Sequence, residues 1–336
     1  MDGMVDLSAI REAARRLGPK SGVLRSPLIP AALSRKLGAE VLLKLESLQP
    51  TGAFKLRGAT NAIASLSAEE ARRGVVCCST GNHGRAVAHA AGVWGIPATV
   101  CLSSLVPQVK VEAVAALNAR VVRHGQSQDE AQVMADRLAA EEGLVQLPPF
   151  DHPQVIAGQG TIGLELLEDR PDLDTVLVPL SGGGLLAGIA VAVKALKPSV
   201  RVIGISMERG AAMAASLAAG RPVEVEELPT LADSLGGGIG LANRHTFALC
   251  RELIDEVILL DEAEIYQGMR WMLLQERRVV EGAAAVGVAA LLAGKVRARG
   301  PTALIVSGEN VDMTQLLTVA HGAPVKLGDI TVENRT

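Results

Sequence analysis

From about residue 72 onward, short β-branched runs alternate with longer Ala/Leu-rich stretches of helical period. That alternation implies a parallel sheet with helices on both faces, because each return to a neighbouring parallel strand needs a crossover that packs back on the sheet. Strands are expected at Gly74 to Cys78, Ala98 to Leu102, Ala119 to Arg123, Thr175 to Val178, Arg201 to Ser206, Val257 to Leu260 and Thr302 to Val306. Helices fill most intervals, so the fold class is α/β. The one change of character is the Pro-containing segment Gln146 to Pro153, the expected crossing between domains. The longest uncharged stretch, Val176 to Val193, is interrupted by Pro179, Ser181, Gly182, Gly183 and Gly184, and reads as a buried strand, a loop and a helix rather than a membrane span.

Composition narrows the partners. The 336 residues carry 33 Lys+Arg against 36 Asp+Glu, a net charge of −3, with 2% aromatic residues. Such a chain lacks the basic surface and stacking platforms that nucleic-acid binding uses. Cys77, Cys78, Cys101 and Cys250 form no CxxC and are too sparse for a disulfide scaffold or zinc cluster, which fits a reducing cytosol. The N-terminal MDGMVDLSAIREAARRLG reads as a charged amphipathic helix without a signal peptide's apolar core, so a cytoplasmic location with no membrane partner is expected.

Three strands end in loops suited to chemistry, and ligands in open α/β sheets bind at carboxyl ends of strands. In TVLVPLSGGGLLAGIAVAVKAL, Ser181 to Gly184 lead into a helix expected near Leu185, where free N–H groups and close backbone approach suit a phosphate. Gly182, Gly184 and Ala187 also satisfy GxGxxA, with Glu208 after the next strand, so this loop alone leaves a dinucleotide open. Ser79, Thr80, Gly81, Asn82, His83 and Gly84 supply hydroxyls, an amide and helix-start N–H groups for a carboxylate or ring oxygen; Ser79 or Thr80 could equally be a plain N-cap. Lys55 and Arg57 follow a Pro-Thr-Gly turn at the start of a helix, whose dipole disfavours a lysine's charge there and favours a nucleophilic amine. Ser307 ends the last strand in SGEN and is read either as a site residue or as the cap of the next helix.

Taken together, TGAFKLRGATNA, STGNHGRAVA, SGGGLLAG, VIAGQGTIGLE, EGAAAVGVAALLAG and IVSGENVD resemble the fold-type II pyridoxal-phosphate (PLP) enzymes, within them the serine/threonine dehydratase and serine racemase branch, over almost the whole chain. The resemblance implies two open, twisted, mainly parallel sheets flanked by helices. It implies a large domain of residues 1–72 and 150–336, a small mobile domain of 73–149 and a homodimer; the segment Val311 to Thr336 after the last motif is too short for a separate folded module, so no added regulatory domain is expected. Lys55 would carry the cofactor and act as base at Cα; Phe54 would pack on its ring; Ser181, Gly182, Gly183, Gly184 and Leu185 would hold its phosphate; Asn82 and Ser307 would meet its ring oxygen and ring nitrogen. Ser79, Thr80, Gly81, Asn82 and His83 would take the substrate carboxylate. The implied reaction removes the β-hydroxyl of serine, threonine or 3-hydroxyaspartate and yields a 2-oxo acid, by way of an imino acid, and ammonia.

Departures from that pattern shape the rest. Thr80 stands where serine racemases use a serine on the opposite cofactor face, so racemase activity becomes an alternative rather than the main reading. The positions matching their cation site are Glu208, Ala212 and Ala214, which leaves one carboxylate, and no resident metal is expected. SMERGAAMAASLAAGRP and DSLGGGIGLANRHTFAL look closest to the dehydratase encoded with hydroxyectoine catabolism; Arg85 and Lys110 are then candidate cations for a polar substrate side chain. β-Replacement on the same cofactor, an NAD-dependent dehydrogenase and a non-catalytic amino-acid sensor are the remaining alternatives. The dehydrogenase leaves Lys55 and STGNHG without a task.

Overall fold

The computed structural model describes residues 5–79, 81–106 and 108–334; of Val109 and Lys110 it describes the backbone alone. Its strands are β1 (Leu28–Pro30), β2 (Val41–Leu45), β3 (Val75–Cys78), β4 (Ala98–Leu102), β5 (Arg120–Arg123), β6 (Val145–Gln146), β7 (Thr175–Pro179), β8 (Arg201–Met207), β9 (Glu256–Leu260), β10 (Thr302–Val306), β11 (Val325–Leu327) and β12 (Ile330–Val332). Six of them form one sheet in the order β1-β2-β10-β7-β8-β9, and four form a second in the order β5-β4-β3-β6. Every pairing in both sheets is parallel except β1 with β2. All seven expected strands form, with ends shifted by no more than a residue. β1, β2, β6 and the antiparallel β11–β12 hairpin were not anticipated.

Central strands β2, β3, β4, β7 and β10 are buried along their whole length, which is why all but β2, with its Lys44, read as largely apolar runs rather than alternating ones. The stretch from Val176 is a buried strand, a loop and a buried helix, Gly184–Leu196. Among the described residues no helix is long and apolar enough to cross a membrane. The N-terminal helix Leu7–Arg16 is amphipathic, capped by the Asp6 carboxylate and buries Ile10 and Ala13. All four cysteines are free and buried, and burial raises the thiols of Cys78 and Cys250 to about 12, which makes them packing groups.

Close helix contacts fix the frame of the site. The Lys55–Ala64 helix lies backbone to backbone on Pro153–Asp169: a Cβ on Gly58 would fall 2.8 Å from the Val155 carbonyl, and one on Gly158 2.7 Å from the Arg57 carbonyl. On its other side Leu56, Ala59, Ala62 and Ile63 join the core of the four-stranded sheet. Beneath its first turn, Arg57 is 1% exposed. Its guanidinium donates to Glu46 at 2.8 Å through Nε and Nη2, to Glu165 at 2.6 and 2.9 Å, and to Thr161 Oγ1 at 3.1 Å. Lys44 Nζ completes the network on Glu165 at 2.5 Å and the Ser26 carbonyl at 2.7 Å. Burial alone would raise the Glu46 carboxyl, but the charge and hydrogen bonds of Arg57 hold it below the usual carboxylate range. Arg57 is therefore a structural ion under the site, not a group within it.

Candidate active site

Lys55 opens its helix directly after a turn stitched to the end of β10. Ala53 bridges Gly308, and the Phe54 N–H donates to the Ser307 carbonyl at 3.0 Å. The lysine is partly buried, with Nζ donating to the Pro149 carbonyl at 2.6 Å and lying 5.3 Å from the Phe54 ring centroid. Burial pushes its ammonium down to about 8, with Glu281 opposing the shift. A solvated surface lysine is thus excluded, and desolvation is the main cause of the lowered value rather than the helix dipole expected from sequence.

The loop after β3 leads into the helix Asn82–Trp94. Thr80 lies outside the described residues. Gly81 is the N-cap, without a side-chain cap bond, and Ser79 Oγ accepts from the Gly81 N–H at 3.3 Å, so the alternative of Ser79 as a plain N-cap falls. His83 is 2% exposed and its Nε2 donates to the Leu147 carbonyl at 2.7 Å. Burial, then the charge of Lys55, push the imidazole down to about 3, so the ring is neutral, and Nδ1 is left enclosed without a partner. Asn82 turns its amide to a buried carboxylate that sequence reasoning had not singled out: Nδ2 donates to both oxygens of Glu281 at 3.1 Å, while Ser234 Oγ donates to one of them at 3.1 Å. Burial lifts Glu281 to about 6 against these bonds. The available signal was its position, a single carboxylate immediately before the buried small-residue helix Gly282–Leu292.

The helix after the glycine loop begins one residue earlier than expected, at Gly184, with Gly183 as N-cap at φ +89. None of the loop's glycines has room for a side chain. A Cβ on Gly182 would sit 2.3 Å from the Phe150 ring, one on Gly183 2.7 Å from the Met213 methyl, and one on Gly184 3.0 Å from Phe150. The first turn of this helix has N–H groups without intrahelical acceptors, which suits an anion. Beside it, the Asp151 carboxylate accepts from the backbone N–H groups of Arg244, His245 and Thr246 at 2.7 to 2.9 Å, anchoring the neighbouring helix Thr246–Leu253. Ser307 is buried at the end of β10; Asp312, not Ser307, caps the next helix, so the capping alternative falls. Arg85 donates to Asn310 Oδ1 at 2.6 Å, and the Lys110 side chain lies outside the described residues.

Separate segments converge here: the Phe54 N–H ties the Lys55 turn to Ser307, Asn82 reaches Glu281 beside Gly308, and the consecutive residues Pro149 and Phe150 meet Lys55 and the glycine loop. The fit with PLP rests on the donor set: a lysine whose amine is readily neutral, a side-chain-free cradle at a helix N-terminus for a phosphate, the half-buried Asn82 amide and the buried Ser307 hydroxyl. The dinucleotide alternative has no such use for the lysine. Comparison with known proteins agrees with the geometry. The family of pyridoxal-phosphate dependent enzymes matches residues 20–308. The chain is 55% identical over 320 residues to a Sinorhizobium fredii protein provisionally named a threonine dehydratase, covering 95% of this chain and 96% of that one. It is 44% identical to the L-threonine ammonia-lyase of Thermotoga maritima, covering 97% and 80%. Among solved structures, maize serine racemase superposes with a TM-score of 0.87 at 35% identity, covering 94% of this chain and 97% of that one. The chain belongs to the pyridoxal-phosphate dependent enzymes.

Proposed function

We propose that the protein is an ammonia-lyase that eliminates the β-hydroxyl of serine, threonine or a 3-hydroxyaspartate-type amino acid, giving a 2-oxo acid and ammonia. The observation that carries this reading is the pairing of a lysine amine titrating at about 8 with an anion cradle and the Asn82–Glu281 amide contact around one site. PLP held by Lys55 and by the turn Ser181 to Leu185 supplies an electron sink for the substrate's α-carbon. The chain supplies position and proton transfer. Lys55 Nζ, neutral in part of the population at neutral pH, takes the proton from Cα. Ser79 to His83 offer the start of the Asn82–Trp94 helix to the substrate carboxylate, while Asn82 would meet the ring oxygen, Phe54 would pack on the ring and Ser307 would meet the ring nitrogen. His83 stays neutral and pins the loop to Leu147, so it adds no charge that would compete with Lys55.

Residues 73–149 act as a small domain that closes on 1–72 and 150–336; the separate four-stranded sheet supports that division, although the Lys55–Ala64 helix packs against both parts. The active form is a cytoplasmic homodimer, and the substrate arises in hydroxyectoine catabolism. Arg85 offers its guanidinium to a second carboxylate of a dicarboxylic substrate. Racemisation of the same amino acids is the second reading, supported by the similarity to maize serine racemase.

An absorbance spectrum of wild type and Lys55→Ala, with and without L- and D-serine, threonine and 3-hydroxyaspartate isomers, tests the whole reading. A visible cofactor band in wild type, absent from the variant, with 2-oxo acid released at least a thousandfold faster by wild type, is expected on the scale of losing a covalent catalyst. A reconstituted wild type without that band would overturn it; a band with isomer interconversion and no 2-oxo acid would select the racemase.

A further inference from the structure

Asn310 lies three residues beyond Ser307 and has no role in the reading above. Its amide is fully committed. Nδ2 donates to the Thr51 carbonyl at 2.9 Å and to Asn82 Oδ1 at 2.6 Å, while Oδ1 accepts from Arg85 Nη1 at 2.6 Å. Asn82 is turned the same way, accepting from Asn310 and pointing Nδ2 toward both Glu281 oxygens at 3.1 Å, which is also the face of the amide that would give a hydrogen to the ring oxygen. The bonds run one way, Arg85 to Asn310 to Asn82 to Glu281.

Chemistry at the two ends fixes that direction. A guanidinium can only donate and an ionised carboxylate can only accept. Turning the Asn310 amide over would set its NH2 against Arg85 and its oxygen against two other oxygens, those of Thr51 and Asn82. Turning Asn82 over would set its oxygen against Glu281. Neither amide can flip without breaking every bond it makes, so two charges that do not touch each other determine the orientation of both amides. There is also no slack around the hub: a Cβ on Gly52, which has φ +73, would lie 2.9 Å from Asn310 Oδ1, and one on Gly308 2.5 Å from Glu281 Oε1.

We propose that Asn310 is a positioning residue, locking the turn that presents Lys55 (through Thr51) to the loop and helix that present Asn82 and Arg85, with Arg85 and Glu281 setting the polarity of the lock. This rests on the proposed site, because the two segments it joins are those assigned to cofactor and substrate carboxylate. The Arg85 and Glu281 ends belong to one device, so damage at one end removes most of what the other contributes.

The test is a double-mutant cycle on the holoenzyme with Arg85→Met, Glu281→Gln and the pair, read as KM for the monocarboxylic substrate L-serine and as the thermal unfolding midpoint. Each single variant should raise KM about tenfold, the scale of one charge-assisted hydrogen bond, and the pair should also raise it about tenfold rather than a hundredfold. The unfolding shifts should be sub-additive in the same way. Asn310→Asp, which keeps the volume and removes both donors, should keep the visible cofactor band and raise KM more than it lowers kcat; Asn310→Ser checks the same outcome with a smaller side chain. Additive shifts in both readouts, or an Asn310→Asp enzyme with wild-type KM, would overturn the proposal. A wild type that binds no cofactor would sink the proposed function instead, and the unfolding cycle would still decide the lock, additivity overturning it and sub-additivity carrying it.

Discussion

Lys55 and Glu281 attract one another electrostatically while burial disfavours the charge on both. The two titrations leave separable marks on stability. Below about 8 the folded and unfolded chains both hold the Lys55 proton and the cost of enclosing the charge is present in full; between about 8 and 10.5 the unfolded chain binds more protons, so stability rises with pH. Protein stripped of cofactor should therefore gain stability across that window, on the order of a few kcal/mol, and Lys55→Met should lose the gain. Thermal melts from pH 7.5 to 10.5 check this, and an equal rise in the variant would refute it. Glu281 acts with the opposite sign in another window. Its folded value is raised, so stability falls as pH rises from 4.5 through about 6. Lys55 and the glycines could be read from sequence because their local context carries their chemistry. Glu281 and Asn310 could not, since their partners Asn82, Arg85 and Thr51 come from distant parts of the chain.

Elements carried by hydrophobic rhythm were legible, and those carried by long-range pairing were not. The interior strands β3, β4, β7 and β10 announce themselves as apolar runs. Strand β2 is as deeply buried but contains Lys44, and the charge that breaks its pattern is tolerated only because Glu165 meets it from another helix. The same network explains why Arg57, grouped with Lys55 by sequence proximity, lies beneath the site: one residue points to the cleft, and two positions later the helix turns the side chain into the core. Removing Arg57 leaves Glu46 and Glu165 with too little positive charge. Arg57→Met should destabilise the protein by about 3–5 kcal/mol, read from the urea midpoint at unchanged m-value. A loss below about 1 kcal/mol, the range of exposed pairs, would show the network to be dispensable.

Across the whole molecule, the proposed site draws on segments that follow strands of both sheets, and several hydrogen bonds join those segments. Asn82 and Arg85 follow β3 of the four-stranded sheet, whereas Glu281 and Asn310 flank β10 of the six-stranded one. Closure on substrate should shorten the radius of gyration in solution scattering and slow amide exchange in residues 81–85; identical scattering and exchange with and without L-serine would argue for a rigid enzyme. The two sheets were legible through the family resemblance rather than from any local pattern, and the placement of the Lys55–Ala64 helix against both was not legible, because packing on both sides comes from neighbours that local pattern does not reveal. The Pro-containing crossing does more than connect. Within a few residues Leu147 holds His83, Pro149 holds Lys55, Phe150 covers the glycine loop and Asp151 anchors the Thr246–Leu253 helix. For anyone wishing to split this enzyme into complementing fragments or to permute its termini, the apparent linker is thus the wrong place to cut: it is a jig against which the site is assembled, and new ends belong on loops that touch none of these residues.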